Sequence, residues 1–84
     1  MALRTEFIVI PIVVGKRGKL MVGTRELQKT EAAAIRMVER LSLTKAGAVA
    51  IAQDVDSETE FFGEPRLILQ MGQIPEGFIE AMAA

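Results

Sequence analysis

The pattern of apolar and polar positions begins with the longest apolar run of the chain, at residues 7–14. Most of these residues are β-branched, which is typical of a strand that is buried on both faces. The run predicts a first strand over residues 5–14. Pro11 lies inside this strand and has no amide proton, so we expect its nitrogen to face an edge or the strand to bulge there.

A β-hairpin is predicted next. Gly15 and Gly18 flank two basic residues and would tolerate the positive φ angles of a tight turn. The alternation over residues 19–25 predicts a second strand that pairs back on the first.

The best helix N-cap in the chain is Thr30, which is followed by Glu31 and three alanines. The spacing predicts a helix of about four turns that ends near Lys45. A start as early as Arg25 stays open, since Leu27 falls on the same apolar stripe. That stripe consists of Ala34, Ile35, Val38 and Leu41, with Met37 at its margin.

Two more strands and a short helix are predicted after the long helix. The third strand covers residues 48–53 and has alanines on one face and Val49 and Ile51 on the other. We expect the long helix to lie over the alanine face, because small side chains allow close approach. An acidic loop at residues 54–64 leads to a fourth strand at residues 66–71. The apolar side of the short helix consists of Phe78, Ile79 and Met82.

The order ββαββα predicts a single α+β domain over residues 1–84. We expect a four-stranded antiparallel sheet with the long helix on one face and a short C-terminal helix. A right-handed crossover would place the first strand in the centre, in the order 2-1-3-4. Pro11 argues against this order, because proline favours an edge.

Half of the 84 residues are apolar, which is more than the core of one small domain absorbs. We therefore expect a homo-oligomer, in the simplest case a homodimer. An unidentified protein is a further candidate partner. The apolar run is too short to span a bilayer, and Arg4 and Glu6 before it are not typical of a secretory signal. These features predict a cytoplasmic protein with no membrane contact.

The sheet face opposite the long helix is the expected dimer contact. Val49 and Ile51 would point to this face, and the short helix is too small to cover four strands. Edge-strand pairing, or a monomer in which the acidic loop covers the face, stays open. Phe61 and Phe62 are further interaction candidates, because adjacent side chains on an extended segment cannot both point inward. Alternatively, one caps the core edge and the other lies on a neighbouring side chain.

The chain has no cysteine, histidine, tyrosine or tryptophan, which removes the thiolate nucleophile, the common general base and the usual transition-metal ligands. No spacing ties a hydroxyl to a base, so we predict no catalytic residues and no cofactor. The alternate carboxylates of the acidic loop resemble a calcium loop. However, Thr59 stands at the turn-glycine position and Pro65 at the position of the closing glutamate, so we predict no metal site.

The net charge of −1 is unevenly spread. Residues 1–30 carry six basic and two acidic groups, and residues 31–84 carry four basic and nine acidic groups. The basic residues at the predicted hairpin tip are Lys16, Arg17 and Lys19. Some nucleic-acid binders use a basic β-arm of this kind. Because no aromatic residues are interleaved here, we do not expect a nucleic-acid partner.

Several segments resemble known proteins. They are residues 31–41 (EAAAIRMVERL), 46–50 (AGAVA), 56–60 (DSETE) and 63–65 (GEP). Together they are similar to a group of small uncharacterised bacterial proteins, over most of residues 5–79, and the resemblance implies no activity or site residues.

The sequence thus predicts a small homo-oligomeric structural or regulatory binding protein. The alternatives are a nucleic-acid-associated protein that uses the basic hairpin tip, and a small-ligand site or enzyme at a subunit interface.

Overall fold

A computed structural model describes residues 3–83. Strand β1 (Leu3–Val14) contains the apolar run and lies in the centre of an antiparallel sheet. The other strands are β2 (Leu20–Val22), β3 (Glu26–Gln28), β4 (Gly47–Asp56), β5 (Phe61–Phe62) and β6 (Arg66–Gly72), and the helices are α1 (Glu31–Leu41) and α2 (Phe78–Ala83). The α+β class and the long and short helices are therefore confirmed. The predicted number of strands and the predicted order ββαββα are wrong, because the described chain forms six strands rather than four, in the order βββαβββα.

The predicted second strand is divided into two shorter strands, and the break between them lies opposite Pro11. β2 pairs with the end of β1 and β3 with its middle, and between them residues 10 and 11 face residues 23–25. The segment therefore contains one extra residue, which is a β-bulge. Gly23 donates its amide proton to the carbonyl of Pro11 at 2.8 Å, but Pro11 has none to donate in return. The bulge lies in the segment opposite Pro11 and not, as expected, in the strand that contains the proline, which pairs with β4 in continuous register.

The predicted third strand is longer than expected. β4 pairs with β1 from Gly47 to Asp56, so the start of the predicted acidic loop belongs to the sheet. The loop is reduced to a turn at residues 57–60, and Phe61 and Phe62 lie in a strand. β5 and β6 both pair with the other side of β4. The first strand is thus central, in agreement with the predicted order.

Helix α1 begins where the N-cap signal predicts. The Oγ1 of Thr30 accepts a hydrogen bond from the backbone amide three residues on, at 3.1 Å. The helix ends at Leu41, earlier than predicted, and the Oγ of Ser42 donates to the carbonyl three residues back at 2.7 Å. This side-chain bond competes with helix continuation. The alternative start near Arg25 is wrong, because residues 26–28 form β3.

Each face of the sheet carries its own apolar cluster. Helix α1 packs on the alanine face of β4, as predicted, and the buried residues there are Val9, Ala34, Val38, Ala48 and Ala50. The buried residues of the opposite face are Ile8, Ile10, Ile12, Val49 and Ile51, and Leu20, Ala46, Ile74, Phe78 and Ile79 pack against them. The side chain of Met82, the third residue predicted for this cover, lies outside the described part. The C-terminal segment therefore covers part of the face on which the sequence predicts a dimer contact.

Candidate functional site

Residues 13–21 form a two-stranded projection at one end of the sheet, here called the hairpin arm. The last residue pair between β1 and β4 joins Ile12 to Gly47, so beyond it β1 pairs only with β2. Val14 and Met21 are more than half exposed on the arm. The exposed cations at its tip are Lys16, Arg17 and Lys19. The arm thus presents positive charge beside apolar surface.

The tip of the hairpin arm has a defined backbone. A short 3-10 turn covers Lys16–Gly18, and the amide of Gly15 donates to the carbonyl of Lys19 at 2.7 Å. Gly18 adopts the positive φ expected of it, +74°, and Arg17 has a φ of 64°. The three cations therefore extend from an ordered turn.

The opposite end of the sheet carries a negatively charged segment, residues 57–64, here called the acidic turn. The buried Asp56 precedes it, and its Oδ1 accepts hydrogen bonds from the amides of Glu58 at 3.0 Å and Thr59 at 3.4 Å. The exposed carboxylates are those of Glu58, Glu60 and Glu64, and no basic residue interrupts them. Phe61 and Phe62 lie among them and are both more than half exposed.

A third surface, here called the open patch, consists of Leu27, Phe62 and Leu67. These side chains are 63%, 70% and 45% exposed. Each stands opposite a residue that points away from α1: Ile8, Val55 and Ile51, respectively. The open patch therefore lies on the sheet face opposite the long helix.

A cavity of about 400 Å³ adjoins the open patch, and both Leu27 and Phe62 line it. Its polar lining residues are Glu6, Arg25 and Gln53. The side chain of Gln53 donates to the carbonyl of Gly63 at 2.8 Å, and Glu6 accepts from Arg4 at 3.2 Å. Within residues 3–83, Arg25 takes part in no ion pair. The cavity wall is thus half apolar and half polar, with one cation, one anion and one amide side chain on it.

A polar cluster lies on the other face, near α1. The Oγ1 of Thr5 donates to Oδ1 of Asp54 at 2.7 Å, and Nη1 of Arg66 donates to Oδ2 at 3.3 Å. The hydrogen bond from Thr5, followed by that from Arg66, holds the pKa of Asp54 below its ordinary value. Thr5 and Arg66 also line a cavity of about 520 Å³. These bonds fix an ionised carboxylate in place.

The residues predicted for interaction do not form one site. Lys16, Arg17 and Lys19 lie on the hairpin arm, whereas Phe61 and Phe62 lie at the other end of the sheet. Val49 and Ile51 lie in the core between these ends and are 0% and 6% exposed. A molecule that approaches this face would meet the residues around Val49 and Ile51 rather than these two side chains.

The sequence pattern does not single out Leu27 or Leu67 as surface residues. For Leu27 the missed signal is the alternation of residues 26–28, because a polar neighbour on each side indicates a strand with one apolar face. For Leu67 no local signal exists. Its direction depends on a register shift between β4 and β6, at Ala50 and Ile51, which only the paired strands define.

Among the described residues, no group of three or more carboxylates is placed to hold a metal ion. The described helices are all too short to cross a membrane. No protein-family model, no curated protein and no solved structure matches the chain. The surfaces of the molecule are therefore the basis for any functional proposal.

Proposed function

We propose that this protein is a non-catalytic structural or regulatory binding protein that acts as a homodimer, with the open patch as the contact between the two copies. The exposure of Leu27, Phe62 and Leu67 on one face, with a cavity between Leu27 and Phe62, is the observation that carries the proposal. Contiguous apolar side chains on a surface are typical of protein contacts.

A second copy is the favoured occupant because the patch is self-complementary. A two-fold axis brings the same surface of both copies together. Glu6 and Arg25 line the same cavity, so the cation of one copy can meet the anion of the other. Such rim pairs orient a contact, and the buried apolar side chains supply most of its affinity.

Sedimentation equilibrium at tens of micromolar tests this proposal. We expect a mass of twice 9.2 kDa for the wild type and dissociation in Leu27→Asp and in Phe62→Asp. Both side chains are exposed in the single chain, so the variants should fold, and circular dichroism checks this. Leu43→Asp is the matched control, because Leu43 is 83% exposed but lies in the segment after α1. The control should remain a dimer.

A monodisperse wild-type mass of 9.2 kDa at these concentrations would overturn the homodimer. A dimer that persists in both patch variants would overturn the open patch as its contact and favour edge-strand pairing. Purified protein whose ultraviolet absorbance shows bound nucleic acid would favour the nucleic-acid alternative instead.

The same proposal includes a cytoplasmic location and membership of the group of small bacterial proteins that the sequence resembles. The charged quarter of the chain and the short apolar run support the location. Fractionation of cells that express the protein tests it. Recovery in the membrane or exported fraction would contradict this part of the proposal and leave the dimer untouched.

A further inference from the structure

The strand register places opposite charges at the two ends of the molecule. The hairpin arm follows the pair Ile12–Gly47, and the acidic turn follows the pair Leu3–Asp56 at the other end of the same two strands. The longest dimension of the chain is 46 Å. A surface with three cations is therefore separated from a surface with three exposed carboxylates by most of the length of the protein.

The two ends also match in their apolar content. Val14 is exposed beside the cations of the hairpin arm and Phe62 beside the carboxylates of the acidic turn, both on the sheet face opposite α1. Met21 and Phe61 are exposed on the other face. Residues 7–25 contain no acidic residue, and residues 54–64 contain no basic residue. Each end thus has the charge and the apolar side chains that would complement the other.

One chain cannot bring its own ends together, because the rigid strands β1 and β4 hold them apart. We propose that the hairpin arm of each copy docks on the acidic turn of a second copy, so that one dimer contains two identical arm contacts. This inference rests on the proposed homodimer and adds the residues that set the orientation of the two copies.

The distances along the strands agree with this arrangement. In the simplest arrangement, the two-fold axis lies in the plane of the contacting sheet faces, runs across the strands and passes over Ile8 of β1, next to the open patch. This axis makes the strands of the two copies antiparallel. Lys16 lies eight positions from Ile8, about 26 Å at ~3.3 Å per residue. Asp56 lies five positions from Ile51, the partner of Ile8, about 17 Å away, and the acidic turn continues outward. Along the strand direction, each arm tip therefore lies at the level of the acidic turn of the second copy.

A second copy fits the arm better than a nucleic acid does. Three cations neutralise few phosphates, and the carboxylates of the same molecule would repel a polyanion that extends along it. A second copy instead supplies an acidic surface, shaped by the hydrogen bonds that Asp56 accepts from the turn amides. The reciprocal contacts also close the dimer, whereas a single contact would leave free ends and produce chains.

Charge reversal tests the docking directly. The arm variant is Lys16→Glu/Lys19→Glu, and the turn variant is Glu60→Lys/Glu64→Lys. Each variant alone would place like charges against each other, so we expect its dimer dissociation constant to rise at least about tenfold. In a mixture of the two variants every arm meets a turn of opposite charge, so a heterodimer of near wild-type affinity should form. The matched control is Arg36→Glu/Arg40→Glu, which makes the same change of charge on exposed positions of α1 and should dimerise normally.

The outcomes separate this inference from the proposed function. If Leu27→Asp dissociates the dimer while both charge variants keep the wild-type constant, the arm contact is overturned and the homodimer stands. If the arm variant and the turn variant each dimerise weakly but do not form a heterodimer when mixed, the arm contact is also overturned. The same holds if the arm variant loses DNA binding while its mass in solution remains that of the wild-type dimer. A monomeric wild type would instead remove the proposed function itself.

Discussion

Asp54 illustrates how strand pairing sets the state of a single side chain. It lies opposite Thr5 in the ladder between β1 and β4, close enough for the threonine hydroxyl to donate to it at 2.7 Å. Arg66 adds an ion pair at 3.3 Å from the next strand. Both contacts favour the ionised carboxylate, which is why its pKa is lowered.

Replacing Thr5 with valine should raise the pKa of Asp54 towards its ordinary value, because the largest cause of the shift is removed. Valine keeps the branched shape of threonine and suits a strand. An NMR titration of the side-chain carboxyl measures the change, and Thr24→Val, at an exposed position outside the strands, is the control. An unchanged titration midpoint in Thr5→Val would contradict the assigned cause.

The same contact predicts a pH dependence of stability. A carboxylate whose folded pKa is depressed contributes stability that is fully present above its unfolded pKa and is lost as the pH falls through the folded pKa. The wild type should therefore unfold at a higher temperature than Thr5→Val near neutral pH, and the difference should shrink below about pH 4. Thermal unfolding at several pH values measures this, and a difference that grows in acid would contradict it.

At the scale of elements, the pairing of β4 with β6 at their Gly47–Gly72 ends depends on the absence of side chains at both glycines. A Cβ at Gly72 would meet the carbonyl oxygen of Ala46 and, at 2.8 Å, the Cα of Gly47. Gly72 also has a φ of +77°. Both obstacles are backbone atoms, which cannot rotate away as a flexible side chain can.

Gly72→Ala should lower the free energy of unfolding by about 2 kcal/mol more than Gly77→Ala. Gly77 is the matched control, because its φ is +80° but no atom lies within 4 Å of the added Cβ. The comparison therefore separates the close approach from the left-handed backbone. Urea unfolding of the wild type and the two variants gives the free energies of unfolding. Equal decreases in the two variants would show that the backbones of β4 and β6 approach less closely at Gly72 than described.

The sequence predicted those elements whose signals are local. Thr30 caps α1 through a neighbouring amide, and the alanines of β4 mark the face on which the helix packs. The extension of β4 through Asp54 was not predictable in this way, because carboxylates disfavour strands and the stabilising hydroxyl of Thr5 is distant in sequence. Likewise, the burial of Val49 and Ile51 within the single chain was not predictable from a local signal, because Phe78 and Ile79, which pack against their cluster, are distant in sequence. The dimer contact on this face stays a prediction.

The charge distribution acts at the scale of the whole molecule. In the proposed dimer, the open patch forms an apolar contact in the centre, and the two contacts between hairpin arm and acidic turn are electrostatic. Salt weakens only the electrostatic arm contacts, since the screening length falls from about 10 Å at 0.1 M to about 3 Å at 1 M.

The dimer dissociation constant should therefore rise with salt, by about tenfold between 0.05 M and 0.5 M, without complete dissociation. Sedimentation equilibrium over this range measures the slope. The arm variant Lys16→Glu/Lys19→Glu should show the opposite slope, because salt screens the repulsion that the substitutions introduce. A wild-type constant that does not respond to salt would contradict the electrostatic part.

The bulge opposite Pro11 has a further consequence for misassembly. It divides the outer strand of one sheet edge into β2 and β3, of three residues each, and the other edge is likewise divided into β5 and β6. An incoming strand can therefore align with only a short stretch of free backbone on the β2 and β3 edge before the register steps by one residue. Fibril growth needs a long and flat template. On this edge, a chain that is half apolar therefore offers no long template for an added strand.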